Sequence, residues 1–213
     1  MDDPFAIKLY KFRPLESLPF LFDILINQRL YCSPYSLLND PFEGQFQILK
    51  LSQVLSDGTE PKDDCVPQFR TASQELRVCS LSCANDDVRM WSLYAGGHSG
   101  VAVEVSLNPS EIRELHRVNY LPSIPSVIEP LLGDTACTEA LTTKTNHWKY
   151  ESEWRILTES DYFDVSRNIT RLILGYRTPP NIATALERVC APAGIPVSKT
   201  TICRDTTRVI LID

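Results

Sequence analysis

The stretch Lys149-Tyr150-Glu151-Ser152-Glu153-Trp154-Arg155-Ile156-Leu157 sets two carboxylates two residues apart, directly ahead of an apolar run. That pattern predicts the beginning of a β-strand. At the strand period of two, Glu151 and Glu153 share one face, with Ser152 and Trp154 on the other. Like charges side by side on a strand cost energy. A site that stabilises a developing positive charge has reason to accept that cost, so the pair is a candidate active-site edge. The alternative is a solvated charged strand flanked by Lys149 and Arg155. Against it stand Trp148, Tyr150 and Trp154, which point to partial burial.

Outward from this tract, Ile7-Lys8-Leu9-Tyr10-Lys11-Phe12 alternates as a strand does and ends at Arg13-Pro14. Across residues 15–28, Leu18, Leu21, Phe22, Leu25 and Ile26 recur at helical spacing. Leu30-Tyr31-Cys32 reads as a short extended piece, and the loop at 36–44 is dense in turn residues. Residues 45–77 read as helical or irregular, with the polar stretch 56–64 as the expected mobile loop. Strands are predicted at 77–83, 100–107, 154–157, 171–174, 197–203 and 209–212, and helices at 86–95 and 181–191. Residues 109–117 read as helical turns with Ser110 as a cap. Residues 118–147, with four prolines or glycines and little periodicity, read as one long connection. No internal repeat or linker divides the chain, so residues 1–213 are expected to form one α+β domain with a mixed or antiparallel sheet.

Twenty-one basic residues against twenty-seven acidic ones give a net charge of −6. Sequence-independent nucleic-acid binding draws its affinity from a basic surface, so this balance argues against it. An anionic ligand would need a local arginine cluster instead. At 213 residues, 43% of them hydrophobic, the chain can bury a substantial core. The seven cysteines (32, 65, 79, 83, 137, 190 and 203) contain no Cys-x-x-Cys pair. No His–Cys pair near Cys79 and Cys83 completes a zinc site. They read as reduced structural thiols, which predicts a cytosolic, cytoplasmic protein. The acidic N-terminus lacks a basic region followed by an apolar one, and no apolar run is long enough to cross a bilayer. Neither a signal peptide nor a membrane partner is expected.

Five groups carry candidate chemistry. Arg13, closing the first strand, can fork onto a phosphate or carboxylate; the alternative is a surface arginine paired with a neighbouring carboxylate. Ser80 and Ser82 put two hydroxyls on one strand face, in reach of that arginine or a ribose. In Met90-Trp91-Ser92-Leu93-Tyr94-Ala95, the residues Trp91, Tyr94 and Ala95 share a helix face, a pattern that core packing also gives. The following Gly96-Gly97-His98-Ser99-Gly100 fits neither a dinucleotide fingerprint nor a P-loop, and His98 reads as a turn-bonding residue. Asn39-Asp40-Pro41-Phe42-Glu43 favours a turn with side chain to backbone bonds, although Asp40 and Glu43 can instead face a cleft. The fifth group is the Glu151/Glu153 pair.

Several of these motifs together resemble an uncharacterised, mostly bacterial, domain family. They are Tyr-Lys-Phe-Arg at 10–13, Leu-Asn-Asp-Pro-Phe-Glu at 38–43, Met-Trp-x-x-Tyr-Ala with His-x-Gly at 90–100, and Trp-x-x-Glu-x-Glu-Trp-Arg at 148–155. The match spans most of residues 8–176, and its members' resemblance to stress or phage-defence components implies a toxin or antiviral defence role. A more distant resemblance is to the Arg–Ser–Glu mono-ADP-ribosyltransferases. It is carried by an aromatic-Arg strand end at 12–13, Ser-Leu-Ser at 80–82 and Glu-x-Glu at 151–153, in that order along the chain. It implies mixed or antiparallel sheets forming a cleft with flanking helices, in which NAD is split. On these positions Arg13 would hold the NAD phosphates and Ser82 would brace the nicotinamide ribose. Glu153 would be the principal catalytic carboxylate, and Glu151 would orient or deprotonate an acceptor (a protein, nucleic acid or small molecule). Tyr10 or Trp91 would stack on nicotinamide, and Asn39, Asp40, Ser80 and Tyr94 would complete the NAD-binding wall. The chain departs from the pattern at Ser-Leu-Ser, where the family has Ser-Thr-Ser, and in the stretch 34–77, which has no fixed counterpart.

Two other functions suit the same residues. One is a non-catalytic module that binds a nucleotide or a partner protein. The other is a nuclease-like site of Asp40, Glu43, Glu151 and Glu153 around Mg²⁺, a hard cation that carboxylates suit. No Asp…Glu-x-Lys spacing and no basic surface accompany that last arrangement.

Overall fold

The computed structural model describes residues 3–40, 42, 47–49, 75–124, 126–128 and 134–212. In chain order the strands are β1 (Ile7–Arg13), β2 (Arg29–Tyr31), β3 (Ser33–Pro34), β4 (Gln47–Leu49), β5 (Arg77–Ser82), β6 (Val101–Leu107), β7 (Leu115–Arg117), β8 (Asn119–Leu121), β9 (Ser126–Ile128), β10 (Thr143–Thr145), β11 (Glu153–Thr158), β12 (Tyr162–Asp164), β13 (Ile169–Leu174), β14 (Val197–Cys203) and β15 (Arg208–Ile212). The α-helices are α1 (Leu18–Asn27), α2 (Val88–Tyr94), α3 (Asp134–Leu141) and α4 (Pro180–Cys190). None of the described helices is long and apolar enough to cross a membrane.

Among the described residues, nine strands form one curled mixed sheet in the order β15-β14-β13-β6-β1-β5-β11-β7, with β3 also on β5. The β13–β14 pair is parallel. β1 and β6 pair along all of β1, from Ile7↔Leu107 to Arg13↔Val101. Between β1 and β5, by contrast, the described register is the single pair Tyr10↔Ser82. Beyond it the strands part, and the far end of the same β5 edge is covered by β3 through Ser33↔Val78. The sheet is therefore two halves joined at one residue pair, with a gap beside the join.

The period of two sorts β1 between two cores. Leu9 joins Leu21, Ile24 and Leu25 of α1 and Ala183 and Leu186 of α4, all buried on one face. Tyr10 and Phe12 join Met90 and Trp91 of α2 on the other. Each fully buried leucine or isoleucine of α1 stabilises the fold by roughly 1.5–3 kcal/mol. α1 has Pro19 in its first turn, where no backbone N–H is needed, and stops at Gln28 in the left-handed conformation (φ 52°). Asp87 caps α2 by accepting from the Arg89 N–H at 2.8 Å.

The α+β class and the strands on either side of α1, α2 and α4 agree with the sequence pattern. Several expectations change. Residues Leu115–Arg117 are β7 rather than helix, because they pair with β11 from Ile156↔Leu115 to Trp154↔Arg117. The turn before β7 is held by Asn108, whose Oδ1 accepts from the Ser110 N–H (3.0 Å) and hydroxyl (2.6 Å), so Asn108 takes the capping role expected of Ser110. The supposed connection 118–147 contains β8, β9, α3 and β10, and β8 and β10 pair in parallel from Thr143↔Asn119 to Thr145↔Leu121. Finally, Glu151 is not on the strand. A 3-10 turn spans Asn146–Glu151, Ser152 is left-handed (φ 45°), and β11 starts at Glu153. Within 45–77, residues 47–49 form β4, paired in parallel with β9. The expected mobile loop at 56–64 and the candidate Glu43 lie outside the described residues.

Candidate functional site

Where β1 and β5 part, a cleft of about 330 Å³ opens, near the lower end of the ~300–1,000 Å³ that small-molecule sites occupy. Strand alternation makes consecutive residues of β1 reach it from opposite sheet faces: Tyr10 and Phe12 from the α2 side, Lys11 and Arg13 from the α1 side. Ser80 and Ser82 of β5 and Glu153 and Arg155 of β11 line it together with Tyr94 of α2, Lys144 of β10 and Glu151. Among the described residues, four basic side chains against two acidic ones line it, a local positive balance in a chain of charge −6. A concave, partly desolvated positive site concentrates anions.

The acidic end is a buried four-membered network. The strand period puts Glu153 and Arg155 on one face of β11, and the guanidinium folds back to fork onto the carboxylate, Nε to Oε1 at 2.9 Å and Nη2 to Oε2 at 3.1 Å. Arg155 is fully buried and its Nη1 also donates to the Leu141 carbonyl at 2.5 Å. Lys144 Nζ lies 2.7 Å from Oε2 of Glu151 and 2.7 Å from Oε2 of Glu153, so an ammonium sits between the two like charges. The Tyr94 hydroxyl donates to Oε1 of Glu151. Burial would raise the pKa of Glu153, but Arg155 and then Lys144 pull it down to about 2. Glu151 goes the other way: burial raises it, against the pull of Lys144 and the Tyr94 hydroxyl. Glu153 thus has two cationic partners and Glu151 has one.

Ser82 holds this end in shape. Its hydroxyl donates to the Glu151 carbonyl at 2.5 Å and accepts from the Ala84 N–H at 2.9 Å. It fixes the tight turn that aims Glu151, which is a positioning role.

The basic end is less satisfied. Among the described residues no carboxylate pairs with Arg13, its Nε is buried without an acceptor, and the guanidinium carbon stands 5.6 Å from the Phe20 ring centre. Burial lowers its pKa. Among the described residues, the expected alternative of a surface arginine paired with a neighbouring carboxylate is not seen. Lys11 donates from Nζ to the Ser80 carbonyl at 2.7 Å, an acceptor on the strand edge that β1 leaves uncovered. The acidic group facing both cations is the buried thiol of Cys79. Its pKa is drawn down to about 6, first by the neighbouring Cys32 thiol, then, against burial, by Lys11 and Arg13.

Of the residues expected at the site, Arg13, Tyr10, Asn39, Ser80, Ser82, Tyr94, Glu151 and Glu153 all line this cleft. Two do not. Trp91 is fully buried, packs edge-on against Phe12 at 5.2 Å and donates from Nε1 to the Asn85 carbonyl, so it is core and cannot stack on a ligand. Asp40 is buried away from the cleft lining and accepts from the Phe42 N–H at 2.9 Å, the turn-forming alternative. Tyr10 lines the cleft but its hydroxyl is committed to Glu104 at 3.1 Å. His98 stacks parallel to Trp91 and bonds Ser92 through Nε2 at 3.1 Å, leaving Nδ1 buried without a partner. An unpaired lone pair costs less there than an unpaired N–H, which makes Nε2 the donor and leaves Ser92 unactivated. Sequence reasoning missed Lys144, Arg155, Lys11 and Phe20. The two-residue spacing of Glu153 and Arg155 could have revealed the fork, whereas Lys144 sits in a stretch without periodicity.

Among the described residues no group of three or more His, Cys, Asp or Glu could hold a metal ion. The two glutamates already have cationic partners. No protein-family model matches the chain, and neither a curated protein nor a solved structure matches it.

Proposed function

We propose that the cleft binds NAD and splits its nicotinamide–ribose bond in the manner of an ADP-ribosyltransferase. Arg13 and Lys11 hold the phosphates, and Glu151 meets the reacting ribose. The observation that carries this reading is one opening with, at one end, a guanidinium that no carboxylate pairs among the described residues and whose Nε is buried without an acceptor, and a carboxylate pair at the other. Guanidinium forks onto phosphate oxygens, and the bound charge satisfies a cation that burial otherwise disfavours. As nicotinamide leaves with the bonding electron pair, positive charge develops on the ribose, and a fixed carboxylate stabilises it. Glu151 suits this role better than Glu153, whose charge is taken by two cations. The ribose then passes to water or to an acceptor, which is a protein, nucleic acid or small molecule.

A second reading, a non-catalytic nucleotide-binding module, is favoured by the balance of the acidic end. Two carboxylates and two cations there cancel, which leaves little net field for a developing cation. The test separates the two. The purified chain is incubated with NAD while nicotinamide release and thermal stability are followed, beside Arg13→Ala and Glu151→Gln. A melting temperature raised by NAD in the wild type but not in Arg13→Ala, with release lost in Glu151→Gln, supports the enzyme. A shift without release in the wild type leaves the module. Neither shift nor release refutes both.

A further inference from the structure

Phe20 lines the cleft yet is 43% exposed, unlike its helix neighbours Leu21, Ile24 and Leu25, which are buried. It is the inner end of an aromatic row. Its ring centre is 5.3 Å from that of Tyr31, another cleft residue, and Tyr31 is 5.7 Å from Tyr162, its direct partner across the β2–β12 pair. The row is pinned from behind. Arg29 lies 3.7 Å over the Tyr162 ring and is held by Asp23, with Nη2 to Oδ1 at 3.0 Å. At the other end stands Arg13, whose guanidinium faces Phe20. The rings are tilted to one another (39° and 63°), and the exposed Phe20 ring at the end of the row offers an apolar face next to a cation that no carboxylate pairs among the described residues. That is the chemistry that receives a base attached to a phosphate.

We propose that Phe20, backed by Tyr31 and Tyr162, is the stacking platform for the adenine of the bound nucleotide, an inference that rests on the cleft being a nucleotide site. The volume agrees: about 330 Å³ lies at the small end for a ligand pocket, so a dinucleotide extends beyond the cleft. A phosphate on Arg13 places the next moiety at Phe20, while the nicotinamide half points through the gap toward Glu151.

Calorimetric titration with two probes tests this: ADP-ribose, which carries adenine, and nicotinamide mononucleotide, which does not. Phe20→Ala is expected to weaken ADP-ribose about ten- to a hundred-fold while leaving nicotinamide mononucleotide within about two-fold. Phe20→Tyr, which keeps the ring, is expected to restore the affinity. Thermal melts confirm that each variant is folded. ADP-ribose binding that is indifferent to Phe20→Ala overturns the platform and leaves the nucleotide reading standing. Equal weakening of both probes also overturns it, because Phe20 then only seats Arg13. If neither probe binds the wild type, the nucleotide reading fails and this inference falls with it.

Discussion

Replacing Glu153 by glutamine keeps the shape of a 3% exposed side chain and removes its charge. Arg155 and Lys144, both buried, are then left with Glu151 alone, and the network passes from neutral to a net positive charge. Removing one partner of a buried ion pair costs about 3–5 kcal/mol. The titration gives a second route to the size. A carboxyl whose pKa falls from its ordinary 4.5 to about 2 on folding contributes about 3 kcal/mol at neutral pH. For a chain of this length, about 3–5 kcal/mol corresponds to a melting temperature lowered by about 6–20 °C. The pH dependence has a fixed sign. Because the folded pKa is depressed, this stability is complete above about 4.5 and is lost as pH falls toward about 2. Urea unfolding of wild type and Glu153→Gln from pH 7 down to pH 2 should therefore show two curves that converge on acidification. Equal stability at pH 7, or a constant gap across the range, would refute the buried network as an energetic unit. Nicotinamide release lost in Glu153→Gln would then report the fold as much as the chemistry, which is why Glu151→Gln is the catalytic test.

Lys144→Met leaves two neighbouring buried carboxylates without the ammonium between them and should cost about 3–5 kcal/mol at pH 7. Their folded pKa values then rise, so protonation relieves the repulsion and the deficit should shrink between pH 7 and pH 5; a deficit that does not change in urea titrations over that range contradicts the arrangement. Arg13→Ala removes a cation that burial disfavours, so the unfolding free energy should stay within about 1 kcal/mol of wild type. Pyrophosphate or NAD affinity should meanwhile drop about ten- to a hundred-fold by calorimetry, and a large stability loss with unchanged affinity would make Arg13 structural. Gly100→Ala puts a methyl carbon 2.3 Å from the Arg13 carbonyl oxygen. The strand end must shift, at about 1–3 kcal/mol in urea unfolding, and anion affinity should fall with it; a variant as stable as wild type contradicts the close approach.

Periodicity by itself determined the α+β class, the strand ending at Arg13, α1, α2, β5, β6 and α4. Each has an apolar face whose spacing survives in the sequence because it must be buried. The residue types at the cleft were equally legible: an arginine at a strand end, two serines two apart, two glutamates two apart. What the sequence could not carry is what long-range pairing decides. β7, β8 and β10 are short and gain their hydrogen bonds from strands distant in sequence, so no local period marks them. Glu151 and Glu153 do meet at one site, but through a 3-10 turn and a left-handed Ser152 and not through a shared strand face. Lys144 enters between them from β10, and Arg155 folds back along β11, which turns an apparent like-charge pair into a balanced network. The tertiary structure alone decided that, among the described residues, Arg13 and Lys11 have no carboxylate partner at the cleft. Arg13 stands where β1 and β5 separate, because a sheet joined there at the single pair Tyr10↔Ser82 leaves a gap beside which, among the described residues, no acid pairs with it.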